Sequence, residues 1–321
     1  MPKTSGSWWR ACAPPHLRAN FRVPAKGWRE KMEAAIHAYY AGTAGMDMTT
    51  AKGRDNLRNE LHFRLDASRE KELPWLDHVQ PLKGARILEI GCGTGSSTVA
   101  MAEQGAQVVG VDVDAPSLDV AKLRCELYGV EAEFHACNAA EAAQRMAGRE
   151  FDLIIFFASL EHMTHDERLA AMRSTWEMLR PGQIWCVMET PNRLWFYDHH
   201  SALMPFYLWL PDDLALKYAQ FSDREDFRNA CKLPVADPMT NFLRQGRGVS
   251  FHEFDLTMGP VDELDVIGCR SMFIRKHRLG ARLGWYLSHK GRFERFLAKR
   301  AKRNIHRAFF HPSLDITIRK R

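Results

Sequence analysis

The feature that most constrains this chain is a run from residue 86 to 188 in which short apolar segments alternate with helix-length ones. Residues 86–90 (RILEI), 107–111 (QVVGV), 132–136, 151–157 (FDLIIFF) and 183–188 (QIWCVM) read as strands. Residues 98–104, 116–128 and 166–179 read as helices, with Pro116 suited to a first turn and Arg180-Pro181-Gly182 as a stop. The apolar run at 151–157 suits a strand covered on both faces. Such alternation predicts a parallel α/β sheet with right-handed crossovers.

Inside this run, Leu88-Glu89-Ile90-Gly91-Cys92-Gly93-Thr94-Gly95 joins the first strand to the first helix. A ligand lying over a strand end needs backbone that approaches without a Cβ in the way, and glycine allows this. Asp112 ends the second strand, 21 residues beyond Gly91. That is the spacing expected of a carboxylate that accepts from ribose hydroxyls. A plain strand-to-helix turn would explain the glycines, but it would not supply Asp112 at this distance.

The pattern Glu89-x-Gly91-x-Gly93-x-Gly95 followed by Asp112 resembles the signature of class I S-adenosylmethionine-dependent methyltransferases of the bacterial small-molecule type. The resemblance covers about residues 86–188 and implies a Rossmann-like, mostly parallel seven-stranded sheet flanked by helices. It implies S-adenosylmethionine as cofactor, with Glu89, Gly91, Cys92, Gly93 and Gly95 on its methionine and ribose side. Asp112 would hold the ribose, with Val113 beside it in the binding set, and Asn138 and Ala139 would lie at the adenine, where relatives often carry an acid in place of Asn138. Ala158-Ser159-Leu160-Glu161-His162 resembles the stretch beneath the cofactor, so Ser159 and Leu160 join the expected binding set. Leu179-Arg180-Pro181-Gly182-Gln183 resembles the common turn into strand five.

The flanks suggest four regions. Residues 1–76 read as an N-terminal arm and helical lid, with Trp28, Met32, Ile36 and Tyr40 on one helical face, a loop at 42–53 and a charged helix at 54–76. Residues 77–190 form the cofactor-binding core. Residues 191–249 form an aromatic and helical insert after strand five on the substrate side. Residues 250–321 return the last strands of the core, with strand candidates at 250–257, 265–274 and 314–318 and a basic amphipathic helix at 292–309. On that helix Phe293, Phe296, Leu297, Ala301, Ile305 and Phe309 are expected to share an apolar face.

Methyl transfer from a sulfonium is a displacement that needs alignment, and a hydroxyl acceptor also needs a base. His162, His199 and His200 follow strands four and five, whose C-terminal ends face the ligand crevice in open α/β sheets. Glu161 could orient a histidine or bind a cationic substrate. The plainer reading makes these residues local hydrogen-bonding groups. No metal is expected, because the adjacent side chains of Asp198-His199-His200 rarely converge on one ion. Trp195, Phe196, Tyr197, Phe206, Tyr207 and Trp209 either wall an apolar acceptor pocket or pack the insert onto the sheet.

Net charge is +6, yet residues 270–321 hold 16 lysines and arginines against Glu294 and Asp315. That segment therefore carries +14 and the rest −8. A solvated basic face explains it most simply, with an anionic membrane surface, an acidic carrier or RNA as sharper options. No recognisable RNA-binding module accompanies it, which argues against nucleic acid. The seven scattered cysteines form no CxxC pair, and no stretch of ~18 apolar residues occurs. These features, with no secretory pattern in the first residues, predict free thiols and a cytoplasmic setting. The expected activity is O- or N-methylation of a small-molecule acceptor, with a homodimer left open. An RNA methyltransferase and a non-catalytic cofactor-binding scaffold are the alternatives.

Overall fold

A computed structural model describes residues 13–43, 50–277, 279–301 and 303–321. Seven strands form one sheet: β1 Arg86–Ile90, β2 Gln107–Asp112, β3 Glu133–Ala136, β4 Leu153–Phe157, β5 Ile184–Pro191, β6 Asp265–Cys269 and β7 Ser313–Arg319. Their order is β3-β2-β1-β4-β5-β7-β6. β1 with β2 and β2 with β3 are parallel, whereas β7 runs antiparallel to both β5 and β6. The sheet is therefore mixed. By its contacts the chain divides into two compact units, one running to Ala139 and including Arg149–Ile154, the other made of Ala140–Gly148 and Ile155–Arg321.

In the first unit, Ile87, Leu88 and Ile90 of β1 are buried, as are Val108, Val109 and Val111 of β2. Each such side chain contributes roughly 1.5–3 kcal/mol on leaving water. Helix α1 (Trp28–Thr43) buries Met32 and Ile36, two residues of the expected face. Helix α2 (Ser96–Ala102) follows the glycine loop, and α3 (Ala115–Tyr128) opens with Pro116 and ends at left-handed Gly129. Gly95 is irreplaceable on two counts: its φ is +78°, and a Cβ there would stand 2.8 Å from that of Ala121 in α3. The expected charged helix at 54–76 is a helical run from Ala51 to Val79 interrupted by two π-helical turns, Asn59–Phe63 and Ser68–Glu72. Of the expected loop at 42–53, residues 44–49 lie outside the described set; α1 already includes Gly42 and Thr43, and Ala51 starts the next helix.

In the second unit, α4 (His165–Met178) starts at a capping box between Thr164 and Glu167. Trp185 of β5 is fully buried between the rings of Phe156 and Phe254. Three expectations for the C-terminal part are corrected. Residues 250–257 form helix α5 (Phe251–Thr257), because Ser250 and Glu253 cap it reciprocally. β6 stops at Cys269, and Arg270–His277 is helical. The long basic helix is α6 (His289–Arg300), followed after a break by a 3-10 turn at Arg307–Phe310. Phe296 is 53% exposed and so leaves the apolar face assigned to it. The insert has its own core, in which Ala202, Met204, Tyr207, Phe227, Phe242 and Leu243 pack together. The six described cysteines are free thiols, and Cys12 lies outside the described residues.

Candidate active site

The glycine loop in the first unit hangs from β1. Gly91, Gly93 and Gly95 all take positive φ, so the chain turns sharply out of the strand. Glu89 is fully buried beneath this turn and accepts from the hydroxyls of Ser97 and Thr98 at the start of α2, the latter at 2.5 Å. Burial pushes its carboxyl up to about 7, against the lowering effect of those two hydroxyls. Asp112 closes the loop from the end of β2: Oδ2 accepts the Gly93 N–H at 2.8 Å and Oδ1 the Asp114 N–H at 2.9 Å. Burial raises its pKa, and the same backbone donors oppose the rise.

Each Asp112 oxygen keeps a further lone pair for a diol. Val113 beside it is 73% exposed, an apolar surface for a planar base. A Cβ at Gly93 would meet nothing within 4 Å, so the loop offers open approach over its backbone. Cys92 is buried, and burial drives its thiol far above the ordinary range, which makes it packing rather than nucleophile. Asn138 and Ala139 follow β3, with Ala139 opening a 3-10 turn. This set fits a nucleoside with a polar tail.

Sequence reasoning missed what holds the loop. Thr94 Oγ1 donates to Glu60 Oε2 at 2.6 Å, and Arg124 of α3 donates to the Thr94 carbonyl at 2.8 Å and to the Glu60 carbonyl at 3.0 Å. Tyr40 donates to Glu60 Oε1 at 3.1 Å, and Tyr39 to Asp114 Oδ2 at 2.6 Å. All these pairings join distant parts of the chain, and the only local sign was an acidic residue on an otherwise charged helix.

The second unit gathers three of the four candidate catalytic residues. β4 is followed by Ala158, whose φ of +44° is a strained turn for a residue with a Cβ. The 3-10 turn Leu160–His162 follows, with Ser159 and Leu160 buried. Glu161 is fully buried; Oε2 accepts from Thr190 of β5 at 3.0 Å, while Oε1 has no hydrogen-bond partner. Burial raises its pKa above the usual carboxylate range. His200 Nε2 lies 3.7 Å from that Oε1, and the His162 and His200 rings are 5.2 Å apart. His162 Nδ1 donates to the Arg244 carbonyl at 2.8 Å.

Burial, and then the neighbouring His162, pulls the His200 imidazole down to about 4, so it is neutral at physiological pH. Asp198 positions this segment by accepting the backbone N–H groups of His200, Ser201 and Ala202. Gly246 (φ +106°) makes room for the ring, since a Cβ there would come within 2.8 Å of His200 Nδ1. His199 lies outside this cluster, its ring tilted against that of Tyr197 with centroids 4.7 Å apart. Ligand atoms of Glu161, His162 and His200 fall within 4.8 Å of one another, compact enough for a divalent cation, a grouping the sequence reading did not foresee. Of the insert aromatics, Trp195 and Tyr207 are buried in packing, whereas Phe206 and Trp209 are about half exposed.

The strand order, the glycine turn and the carboxylates Glu89 and Asp112 are similar to those of a class I S-adenosylmethionine-dependent methyltransferase domain. Residues 87–182 match the methyltransferase domain family. Over 110 residues the chain is 36% identical to a ubiquinone biosynthesis O-methyltransferase of Aromatoleum aromaticum, covering 34% of this chain and 46% of that protein. Over 136 residues it is 33% identical to the protein of the same name from Bordetella avium, covering 42% and 55%. The chain thus spans about half the length of the curated relatives it matches. Among solved structures, magnesium protoporphyrin IX methyltransferase from Synechocystis with bound S-adenosylhomocysteine is 20% identical with a TM-score of 0.37, covering 52% of this chain and 72% of that one. No helix among the described residues is long and apolar enough to cross a membrane.

Proposed function

We propose that this protein transfers a methyl group from S-adenosylmethionine to an oxygen atom of a small-molecule acceptor. The observation that carries the reading is the neutral His200 imidazole beside the unpartnered Glu161 Oε1. A hydroxyl acceptor must lose its proton as it attacks, and a neutral imidazole accepts one. Glu161 then stabilises the imidazolium, since its free oxygen faces the ring at 3.7 Å. His162, fixed through Arg244, lies next to it. The relatives' name, O-methyltransferase, supports the choice of oxygen over nitrogen.

On the cofactor side, Asp112 accepts from the ribose hydroxyls, Val113 and Asn138 meet the adenine, and Glu89 supports the loop under the methionine end. S-adenosylmethionine supplies the electrophilic methyl on a sulfonium. Helix α1 and the run from Ala51 to Val79 grip the loop through Glu60 and its neighbour Asp114 through Tyr39, which suits a cover that keeps water off the cofactor. The basic C-terminal segment does not favour RNA, since Arg303 is bound to Asp255 and Asp262, Arg275 to Glu294 and Arg270 to Asp315.

The test is incubation with trideuteromethyl-labelled S-adenosylmethionine and a small-molecule extract, read by mass spectrometry. Label in a small molecule with a newly masked hydroxyl supports the proposal. Cofactor binding without turnover across broad acceptor panels would indicate a scaffold, and absence of binding at high protein concentration would remove the reading altogether.

A further inference from the structure

A cavity of about 470 Å³ lies within the second unit, and none of the residues lining it is a candidate catalytic or cofactor-binding residue named above. Leu194, Leu297 and Trp209 form its apolar wall, and Arg193, Ser250, His252 and Glu253 its polar side. That volume lies in the range of small-ligand sites. Trp209 is 48% exposed, an indole face open to a ligand.

The polar side has one guanidinium without a partner among the described residues. Glu253 Oε2 already accepts from the Ser250 N–H at 2.9 Å and its hydroxyl at 2.7 Å, and Oε1 faces Arg168 at 3.3 Å. His252 Nδ1 is engaged with the Ser250 hydroxyl at 3.0 Å. Arg193 has no hydrogen-bond acceptor and no ion-pair partner for its side chain among the described residues. Its surroundings sharpen this. Asp212, the acid whose field it shares, is taken by Arg247 at 2.8 Å and His165 at 2.7 Å. Burial disfavours the charged forms of Arg168 and Arg247, and the field of Arg193 adds to that in both. Arg168 pairs with Glu253 and feels the field of Glu161, Arg247 pairs with Asp212, and the guanidinium left without a carboxylate contact is the one lining the cavity.

The backbone that carries Arg193 is also held in place. Asn192 is fully buried, donates to the Phe309 and His311 carbonyls and accepts from the Leu194 N–H. The Arg193 N–H donates to the Val249 carbonyl at 2.9 Å. A fixed backbone with a planar donor fork facing a half-apolar cavity is preorganised for an anion.

We propose that this cavity is a binding site for a small anionic ligand, whose carboxylate or phosphate is held by Arg193 and whose apolar body lies against Trp209. The site stands independently of the proposed function, because it makes no use of Glu161, His162, His200 or the glycine loop. The sources of the anion separate by probe: benzoate for a carboxylate and phenyl phosphate for a phosphate, titrated calorimetrically at low ionic strength into the full chain. Expected is saturable binding of at least one probe, weakened about tenfold or more in R193Q by loss of a charge-assisted contact and retained in part in R193K. Quenching of indole fluorescence on binding is expected to shrink in W209F, and thermal melts confirm that each variant folds. No saturable binding of either probe to the wild type, or equal binding to a folded R193Q, overturns the proposal.

Discussion

Thr94 of the glycine loop donates its hydroxyl to Glu60 at 2.6 Å, a contact that spans 34 residues of sequence. Both side chains are buried, and Arg124, fully buried, stands 3.7 Å from the same carboxylate. The glycine loop is thus held by a side chain of the N-terminal helices. Glu60→Ala would leave the Arg124 charge uncompensated and is expected to cost roughly 3–5 kcal/mol. Urea denaturation measures it. A variant as stable as the wild type would show that the network holds nothing.

Glu89 yields a pH signature. Its folded-state carboxyl lies near 7, above the ordinary 4.5. Between those values the folded protein holds a proton that the unfolded chain releases, so this group makes stability fall as pH rises from about 4.5 to 7. Binding of the cationic cofactor should run the other way, because it favours the carboxylate. Calorimetric affinity for S-adenosylmethionine is expected to improve by up to about tenfold from pH 6 to pH 8, with the slope flattened in Glu89→Gln. An unchanged slope in that variant assigns the dependence elsewhere.

Gly246 offers a way to move His200 without altering it. Its φ is +106°, and a Cβ there would stand 2.8 Å from the His200 ring. Gly246→Ala is expected to cost roughly 1–3 kcal/mol in backbone strain and to lower kcat by up to about a hundredfold through displacement of the base. Cofactor affinity, measured by calorimetry, should stay near wild type. Full turnover in a folded Gly246→Ala would mean that the His200 position does not matter.

The core was legible because its signals are local. The strands at 86–90 and 107–111 sit within a residue of β1 and β2, since apolar runs bounded by glycine leave little choice of register. The placement of Glu89 and Asp112 against the glycine loop was legible for the same reason. The region at 250–257 misled because its aromatics suit a strand, while the Ser250–Glu253 capping pair that makes it helical carries more weight than composition. The partners Glu60 and Arg124 were not legible, because nothing in a charged helical stretch says which acid turns inward and meets a residue far along the chain. His200 and His199 are neighbours with equal claims in sequence. Only the Asp198 turn, with Gly246 leaving space, decides that His200 meets Glu161 and His199 meets Tyr197.

That same cluster separates two chemistries. If His200 removes the acceptor proton, His200→Gln should lower kcat by about 10²–10⁴-fold while leaving the KM for S-adenosylmethionine nearly unchanged. Dialysis against EDTA should then leave wild-type turnover intact, because a proton acceptor needs no ion. Glu161→Gln, which keeps the shape and the Thr190 contact but removes the charge facing the imidazole, should show a smaller loss of kcat. The measurement is a single-substrate rate series with each variant, before and after chelation. Activity lost on chelation and restored by a divalent cation would transfer Glu161, His162 and His200 from proton acceptance to metal binding, a role their 4.8 Å grouping permits.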